Sequence, residues 1–482
     1  MDANEILRLR PRLAGYLGRF DDCFTRKDTR AHLSKYVEGQ LSDLPRKSVE
    51  PMALKVGVPV RTLQEFLSQH EWDHKRMVDR VQEIVAREHA GQESIGIIDE
   101  TSCVKKGDKT PGVQRQYCGA VGKQDNCLVT VHLGYARGDF HCLLDGALFL
   151  PESWSNDRPR CLEAGIPDDV VYQPKSDLAL ELHERARAHG VVFEWLTFDE
   201  WYGAKPEFLR TLDRRKQKYI GEIHKHFCGW IEPPRVTSRP FRRGGRGVGR
   251  KTPRRVSGSP AALHVEDLLR HHLSDQPWDP WHLKDGDKGP MVWEVKHTLI
   301  FLKDERGLPS GPYHLLIARN VLHRDELKYF LSNAPPETCV ATLLRVAFSR
   351  WRIERCFEDQ KGEVGLDHYE GRRYVGLKRH LAISAVSYLF LAKVREEEAK
   401  KKSGTDGLPS AYRRGSLGAR LVVEPPGGFR PGGPSRRRNR LDAKEKRPGP
   451  QEPHENHAAQ TPSPWHQTIR DQTSSLGHEL AL

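Results

Sequence analysis

Ile95-Gly96-Ile97-Ile98-Asp99 is a short apolar run that ends in a carboxylate. This pattern is typical of a buried central strand. Residues 191–199 form a second apolar run, and it ends in Asp199. If the two strands lie side by side in one sheet, we expect Asp99 and Asp199 to meet at the strand ends, where open α/β sheets place their ligands.

The residues around these two runs predict the rest of a sheet and its helices. Alternating patterns over 127–135 and 140–150 predict a hairpin, and residues 177–189 predict an amphipathic helix. The second apolar run is followed by a helix over 206–216 and a strand over 218–223. Strands followed by a strand–helix–strand unit indicate an α/β sheet of mixed direction.

Residues 1–90 lack β-branched runs and carry amphipathic spacing, so they predict a helical domain. Within it, residues 52–66 fit a helix-turn-helix in which Ala53 packs and Gly57 makes the turn. Three side chains would then face a DNA groove: Arg61, Thr62 and Gln64. Any helical hairpin with a glycine turn has a similar pattern, so a purely structural role stays open.

The charge of the chain favours a polyanionic partner, because the formal net charge is +13 and the isoelectric point is near 9.2. Residues 233–255 contain no acidic residue, and cations interspersed with glycines run from Arg235 to Arg255. We interpret residues 230–258 as a flexible basic arm for a phosphate backbone, with a solvated loop as the alternative.

The second half of the chain predicts strands and then helices. Residues 290–335 return to a β pattern, and helices are predicted over about 339–362 and 377–401. From about residue 402 the chain is rich in Pro, Gly, Arg and Ser, with few large apolar residues. Such a composition cannot easily build a core, so we expect a disordered tail.

Composition also excludes several classes of protein. The nine cysteines are scattered and never form C-x-x-C, which argues against a disulfide framework and a zinc knuckle and favours a reducing cytosol. The 23 histidines show no H-E-x-x-H pattern. No secretory signal is visible, and no apolar run approaches the roughly 20 residues that span a bilayer.

A second informative stretch is Arg350-Trp351-Arg352-Ile353-Glu354-Arg355-Cys356-Phe357-Glu358-Asp359-Gln360-Lys361. On one helix, Arg350, Glu354 and Lys361 share a face, because they are spaced i, i+4 and i+11. That face is either a surface ladder of ion pairs or a metal-ligating Glu flanked by phosphate-binding side chains.

The strand ends favour the metal interpretation. Two close carboxylates repel each other, and a pair of Mg²⁺ ions relieves that repulsion. Two metals about 4 Å apart can activate the attacking oxygen and stabilise the leaving oxygen of a phosphodiester. Glu354, on a helix beside the strands, would complete the ligand set with Asp99 and Asp199. Glu100 and Glu200 follow the two aspartates directly and would point to the opposite face of a strand.

The stretch from Arg350 to Lys361 resembles the signature Y-x2-R-x3-E-x6-K found in one large group of DDE transposases of bacterial insertion sequences. Ala347 stands where that signature has Tyr. Four other stretches resemble the same group in the same order: residues 112–119 (GVQRQYCG), 122–127 (GKQDNC), 199–203 (DEWYG) and 365–372 (GLDHYEGR). The resemblance covers roughly residues 15–395.

The resemblance implies an RNase H-like fold and a catalytic triad of metal ligands, Asp99, Asp199 and Glu354, that hold two Mg²⁺ or Mn²⁺ ions. It implies that Arg350 and Lys361 contact phosphates of the transposon end. Three further lysines are either solvated charges or, at the rim of the active site as the resemblance favours, contacts to DNA: Lys105, Lys106 and Lys123. The implied partners are terminal inverted repeats and target DNA, handled by a homodimer in the bacterial cytoplasm at the nucleoid, without a membrane.

Two alternatives remain at this point. One is a derivative that binds DNA and has lost catalysis, which the missing Tyr at Ala347 favours and the complete triad opposes. The other is an RNase H-like nuclease without strand transfer.

The predicted fold class is α/β, with an RNase H-like mixed sheet flanked by helices, a β-rich insertion and an N-terminal helical domain. The predicted divisions are a helical DNA-binding domain, the first part of the catalytic domain, a basic loop with the β-rich insertion, the catalytic helices that carry the Glu, and the tail: residues 1–90, 91–225, 226–336, 337–400 and 401–482.

Overall fold

A mixed sheet carries both apolar runs. Strand β1 (Ile95–Val104) pairs in parallel with β5 (Trp195–Phe198) and antiparallel with β3 (Lys123–Arg137). Strand β3 also pairs with β2 (Gln114–Cys118) and β4 (Phe140–Leu148). The predicted α/β class with a sheet of mixed direction is confirmed.

This computed structural model describes residues 3–238, 252–286 and 289–405, with side chains for 9–238, 252–283 and 290–401. The predicted tail beyond residue 405 and the middle of the basic arm, residues 239–251, lie outside the described residues. Within the described part of the chain, no helix has the length and apolar character to cross a membrane.

The helices are α1 (Ala3–Leu17), α2 (Lys27–Gln40), α3 (Val49–Lys55), α4 (Val60–Ser68), α5 (His74–His89), α6 (Glu152–Ser155), α7 (Arg158–Ala164), α8 (Lys175–Ala188), α9 (Glu200–Gly203), α10 (Pro206–Arg214), α11 (Val265–His271), α12 (Val340–Ala347), α13 (Trp351–Asp359) and α14 (Tyr374–Thr405). The further strands are β6 (Ile220–Ile223), β7 (Cys228–Gly229), β8 (Val236–Thr237), β9 (Arg254–Arg255), β10 (Leu263–His264), β11 (Asp279–Gly286), β12 (Gly289–Lys303), β13 (Pro309–Asn320) and β14 (Leu327–Ser332).

Helices cover both faces of the central sheet. Ile97 of β1 lies in one core cluster with Leu343 of α12 and Ile353 of α13, whereas Ile98 lies in another with Leu182 of α8. Since both faces are buried, the strand is apolar at successive positions instead of alternating. Helices α12 and α13 are therefore fixed against the strand that carries Asp99.

A second sheet extends the first. Strand β6 runs parallel to β5 through the bridge between Leu196 and Tyr219. It is also the edge of an antiparallel sheet in the order β11-β12-β13-β14-β6. The predicted β-rich insertion is confirmed, and it is continuous with the strands that build the site.

The N-terminal helices pack on the C-terminal helix α14, which also packs on β4. The Tyr16 hydroxyl donates to the Val386 carbonyl at 2.9 Å, and the Gln40 amide donates to the Ser384 hydroxyl at 2.9 Å. These contacts, between residues 370 and 344 positions apart, join the N-terminal helices to α14, and the predicted N-terminal helical region is anchored beside the sheet.

The prediction of a single helix over 339–362 is wrong. The segment forms two helices, α12 and α13, separated by a turn at residues 348–350, and a π-helical segment, Gln360–Val364, follows α13. The Ser349 hydroxyl donates to the Val346 carbonyl at 2.6 Å, and the Phe348 ring packs 5.2 Å from that of Trp293 in the insertion. These two contacts replace a helical continuation, because a local side-chain hydrogen bond competes with the helix.

The strand boundaries also differ from the predictions. The run over 191–199 forms a strand only at β5, and Val192 before it is exposed. Asp99 does not end its strand, because β1 continues to Val104 on β3. Only the pairing of β1 with β5 stops there, at Ile98 opposite Phe198.

Candidate active site

Asp99 and Asp199 lie next to each other because of the β1–β5 register. Ile98 is aligned with Phe198 in the parallel pair, and each aspartate is the next residue of its chain. Asp199 is also the N-cap of α9, where its Oδ1 accepts hydrogen bonds from the amides of Trp201 at 3.1 Å and Tyr202 at 3.3 Å. Capping of the helix therefore orients this carboxylate.

Arg350 connects the third carboxylate to the first. Its Nη1 donates to Asp99 Oδ2 at 2.7 Å, and its Nη2 lies 2.7 Å from Glu354 Oε1. Burial alone would lower the pKa of Arg350, but Asp99 and Glu354 raise it above its ordinary value. The guanidinium thus bonds two of the three predicted triad members, Asp99 and Glu354, while the third, Asp199, acts on its pKa through charge alone.

The two aspartates are held in an environment that opposes their charge. Burial raises the pKa of Asp99 above the ordinary range, Arg350 offsets part of the rise, and the Asp199 charge adds to it. Burial likewise raises the pKa of Asp199, which Arg350 lowers and the Glu100 charge raises further. The cluster therefore holds more negative charge than Arg350 alone compensates.

Ala347, at the position of the signature Tyr, is at the end of α12 and is 5% exposed. Its methyl group belongs to the core cluster that contains Ile353 and Phe357 of α13. The residue that replaces the signature Tyr is therefore part of the hydrophobic core, and this position presents no aromatic ring to the carboxylates.

Comparison with known proteins identifies the family of the chain. The family described as DDE superfamily endonuclease matches residues 19–290. The chain belongs to the DDE superfamily endonucleases. The matched residues include Asp99 and Asp199, whereas Glu354 lies beyond them.

A curated relative of this DDE superfamily endonuclease is the "Probable transposase for insertion sequence element IS701" of Microchaete diplosiphon. The two sequences are 32% identical over 203 residues, which cover 41% of the chain and 50% of the relative. The chain thus spans about half the length of this relative.

Divalent metals are implied by membership in the DDE superfamily endonucleases, and the residues present fit them. The side chains of Asp99, Asp199 and Glu354 offer carboxylate oxygens, which are the ligands that Mg²⁺ prefers. The raised pKa values of the aspartates come from buried negative charge, which a cation relieves. In addition, Glu100 Oε2 is buried and has no hydrogen-bond partner among the described residues.

The four predicted lysines have different surroundings. Lys361 lies in the π-helical segment after α13, and like Arg350 it contacts β1. Its Nζ donates to the Ser102 carbonyl at 3.1 Å. The Lys105 Nζ donates to the carbonyls of residues 367 and 369, at 2.8 and 2.6 Å.

Lys106 and Lys123 are both exposed. Burial lowers the pKa of Lys105. Lys106 and Lys123 are therefore open to solvent, while Lys105 fixes the loop that follows Gly365 onto the end of β1.

The predicted helix-turn-helix residues lie on α3, α4 and the turn between them. Gly57 has φ of 71°, a left-handed conformation that favours glycine, and Ala53 is fully buried. Arg61 and Gln64 are exposed and Thr62 is half-buried. The Arg61 Nε donates to Glu65 Oε1 at 2.6 Å, and the Arg61 side chain is 84% exposed.

Sequence reasoning missed three residues beside the carboxylates. The Lys175 Nζ lies 2.6 Å from Glu100 Oε1, and Glu222 Oε1 of β6 lies 2.9 Å from the Lys328 Nζ. The Tyr202 hydroxyl is buried without a hydrogen-bond partner among the described residues. Tyr202 belongs to the quoted stretch 199–203, which was the one signal that could have indicated it. Nothing in the local sequence marks Glu222 or Lys175, because the fold alone brings them to the site.

Proposed function

We propose that this chain is a DNA transposase that cuts the ends of an insertion sequence and joins them to target DNA. One observation carries the proposal: the parallel β1–β5 register aligns Asp99 with Asp199, and Arg350 bonds both Asp99 and Glu354. Membership in the DDE superfamily endonucleases and the relative named a probable transposase support it.

We assign Asp99, Asp199 and Glu354 as the ligands of two Mg²⁺ or Mn²⁺ ions. When bound, such ions activate the attacking oxygen and stabilise the leaving oxygen of an in-line phosphoryl transfer. The protein's own contribution is orientation: β1 and β5 hold the aspartates, the α9 amides fix Asp199, and Arg350 directs Glu354 towards Asp99. Cleavage of a terminal repeat would free a 3′-OH, which the same carboxylates would serve in attack on target DNA.

We assign the DNA contacts in two groups. Near the carboxylates, Arg350, Lys361 and the rim lysines would meet phosphates, with Lys106 and Lys123 first because their ammonium groups are exposed. Farther away, Arg61, Thr62 and Gln64 of α4 would contact the terminal repeat in a groove. Two copies of the chain would handle the two ends on nucleoid DNA of the bacterial cytoplasm.

The proposal is tested by metal-dependent nicking of DNA that carries the ends flanking the gene. Asp199→Asn and Glu354→Gln should each reduce cleavage by about a thousandfold or more, since a lost metal ligand costs several kcal/mol of transition-state stabilisation. Both variants should retard the same DNA in a gel as wild type does. The matched control is Glu358→Gln, because Glu358 is exposed on the same helix and pairs with Arg355 at 3.5 Å; it should cleave normally.

The same assay separates the alternatives. A protein that only binds DNA would retard the fragment with or without Mg²⁺ and never nick it. A nuclease without strand transfer would nick, but would not join a pre-cleaved end to a target plasmid. Cleavage by Glu354→Gln at the wild-type rate would contradict the assignment of Glu354 as a metal ligand.

A further inference from the structure

A second group of metal-ligating side chains lies outside the carboxylate centre. Donor atoms of His226, His264 and Glu266 all lie within 4.8 Å of one another. His226 follows β6, His264 ends β10, and Glu266 is in the first turn of α11. Within the part of the chain that the structure describes, no other set of three His, Cys, Asp or Glu side chains brings its donor atoms this close.

The geometry of the group resembles that of a site for a borderline metal. The His226 Nδ1 lies 2.8 Å from Glu266 Oε1, and the imidazole rings of His226 and His264 lie 5.1 Å apart. In a tetrahedral zinc site with bonds of about 2.1 Å, donor atoms are about 3.4 Å apart. Because both histidines are exposed, small side-chain rotations suffice to close the remaining distance.

The surrounding residues support metal binding. Arg270 bonds the other carboxylate oxygen, Glu266 Oε2, at 3.0 Å, which leaves Oε1 directed at His226 and fixes the carboxylate. Cys228 is an exposed free thiol, and it is the cross-strand partner of His264 in the β7–β10 pair. Opposed residues in such a pair project to the same face, and the Cys228 thiol donates to the His226 carbonyl at 3.5 Å.

We propose that His226, His264 and Glu266 bind one Zn²⁺ ion that joins the two ends of the basic arm. Two imidazoles and one carboxylate suit Zn²⁺ far better than Mg²⁺, which prefers oxygen ligands alone. The site is separate from the carboxylate centre, and it goes beyond the proposed transposase activity.

The position of the group gives the ion a structural role. His226 precedes the basic arm of residues 230–258, and His264 and Glu266 follow it. Among the described residues, the base of the arm is held by two ladders of only two residue pairs each, β7–β10 and β8–β9. Such short pairings are weak, and a metal that ties residues 226 and 264 together removes the entropy of closing that loop.

The test is a zinc titration of the full chain, first stripped with a chelator and then held in excess Mg²⁺ so that the carboxylate centre is occupied. Wild type should bind one equivalent of Zn²⁺ in competition with a chromophoric chelator. His264→Ala and Glu266→Gln should each weaken that affinity by about tenfold or more. The matched control is His272→Ala, an exposed histidine just after α11, and it should bind as wild type does.

A second readout reports the structural role. Zn²⁺ should slow tryptic cleavage within residues 227–263 of wild type and of His272→Ala, but not of His264→Ala. The Asp199→Asn variant should retain both the stoichiometry and the protection, which separates this site from the carboxylate centre. Absence of stoichiometric Zn²⁺ in wild type would overturn the proposal. So would unchanged affinity in a His226→Ala, His264→Ala double variant with the circular dichroism of wild type.

Discussion

The carboxylate centre and the α3–α4 hairpin illustrate two ways of holding functional side chains. Asp99 and Asp199 are set by a strand register and a helix cap, and their charges are enclosed by core packing. Arg61 of the hairpin projects into solvent and forms an ion pair with Glu65 of the same helix. Internal contacts therefore define the first region, whereas the second presents exposed side chains for which we propose a DNA partner.

The largest effect on stability is expected from Arg350→Ala, which removes the ion pairs of the carboxylate centre. The variant leaves Asp99 buried without its ion-pair partner, and loss of one member of a buried pair costs about 3 kcal/mol of unfolding free energy. Guanidinium unfolding measures this loss, and cleavage should fall with it because Glu354 is no longer held. Arg187→Ala is the control, since its pair with Glu184 is exposed and should contribute about 0.5 kcal/mol or less.

The next effect is a dependence of stability on pH in metal-free protein. The folded-state pKa values of Asp99 and Asp199 are raised, so the folded chain binds more protons than the unfolded chain between the ordinary aspartate range, about 3.9, and neutrality. Stability from these groups is therefore present at low pH and is lost as pH rises through that interval.

Denaturant unfolding across this pH range should show a steeper decline for wild type than for the Asp99→Asn, Asp199→Asn double variant. Added Mg²⁺ should restore stability to wild type at neutral pH, because a ligand that binds only the folded state stabilises it. An equal pH slope in wild type and the double variant would contradict the electrostatic description of the centre.

The sequence predicted the aspartates but not the connection between them and the helix. Apolar runs before Asp99 and Asp199 indicated buried strands, and strand ends in an α/β sheet meet at one edge. The role of Glu354 came from the resemblance, because an i, i+4 pair with Arg350 is equally common on a surface. The contact of Arg350 with Asp99 joins residues 251 positions apart, and no local pattern encodes it.

Other features were beyond local rules for the same reason. The break at residues 348–350 contains no Gly or Pro, and it depends on Phe348 meeting Trp293 of the insertion. The group of His226 and His264 is spread over almost 40 positions and has no metal-binding spacing. Elements with a strong local period were predicted well, while turns and sites made by distant segments required the tertiary structure.

A smaller effect, on DNA affinity, is expected from Arg61→Ala, which tests the α3–α4 hairpin. Its ion pair with Glu65 is exposed, so unfolding free energy should change by about 0.5 kcal/mol or less. Affinity for terminal-repeat DNA should fall by about 1–3 kcal/mol if this side chain contacts a base. Arg30→Ala removes a similar exposed pair, with Asp21, and should leave DNA affinity unchanged; equal losses in both variants would indicate general charge alone.

The smallest effect on stability is expected from Tyr202→Phe. The Tyr202 hydroxyl is buried and lacks a hydrogen-bond partner among the described residues, and burial followed by the charges of Glu100 and Asp199 raises its pKa well above the ordinary value. Removal of an unsatisfied buried hydroxyl is close to neutral or slightly stabilising, so thermal unfolding should not move down. Cleavage kinetics then decide its role: unchanged kcat assigns Tyr202 to packing, whereas a reduced kcat at unchanged stability means that the hydroxyl donates to a group present only during the reaction.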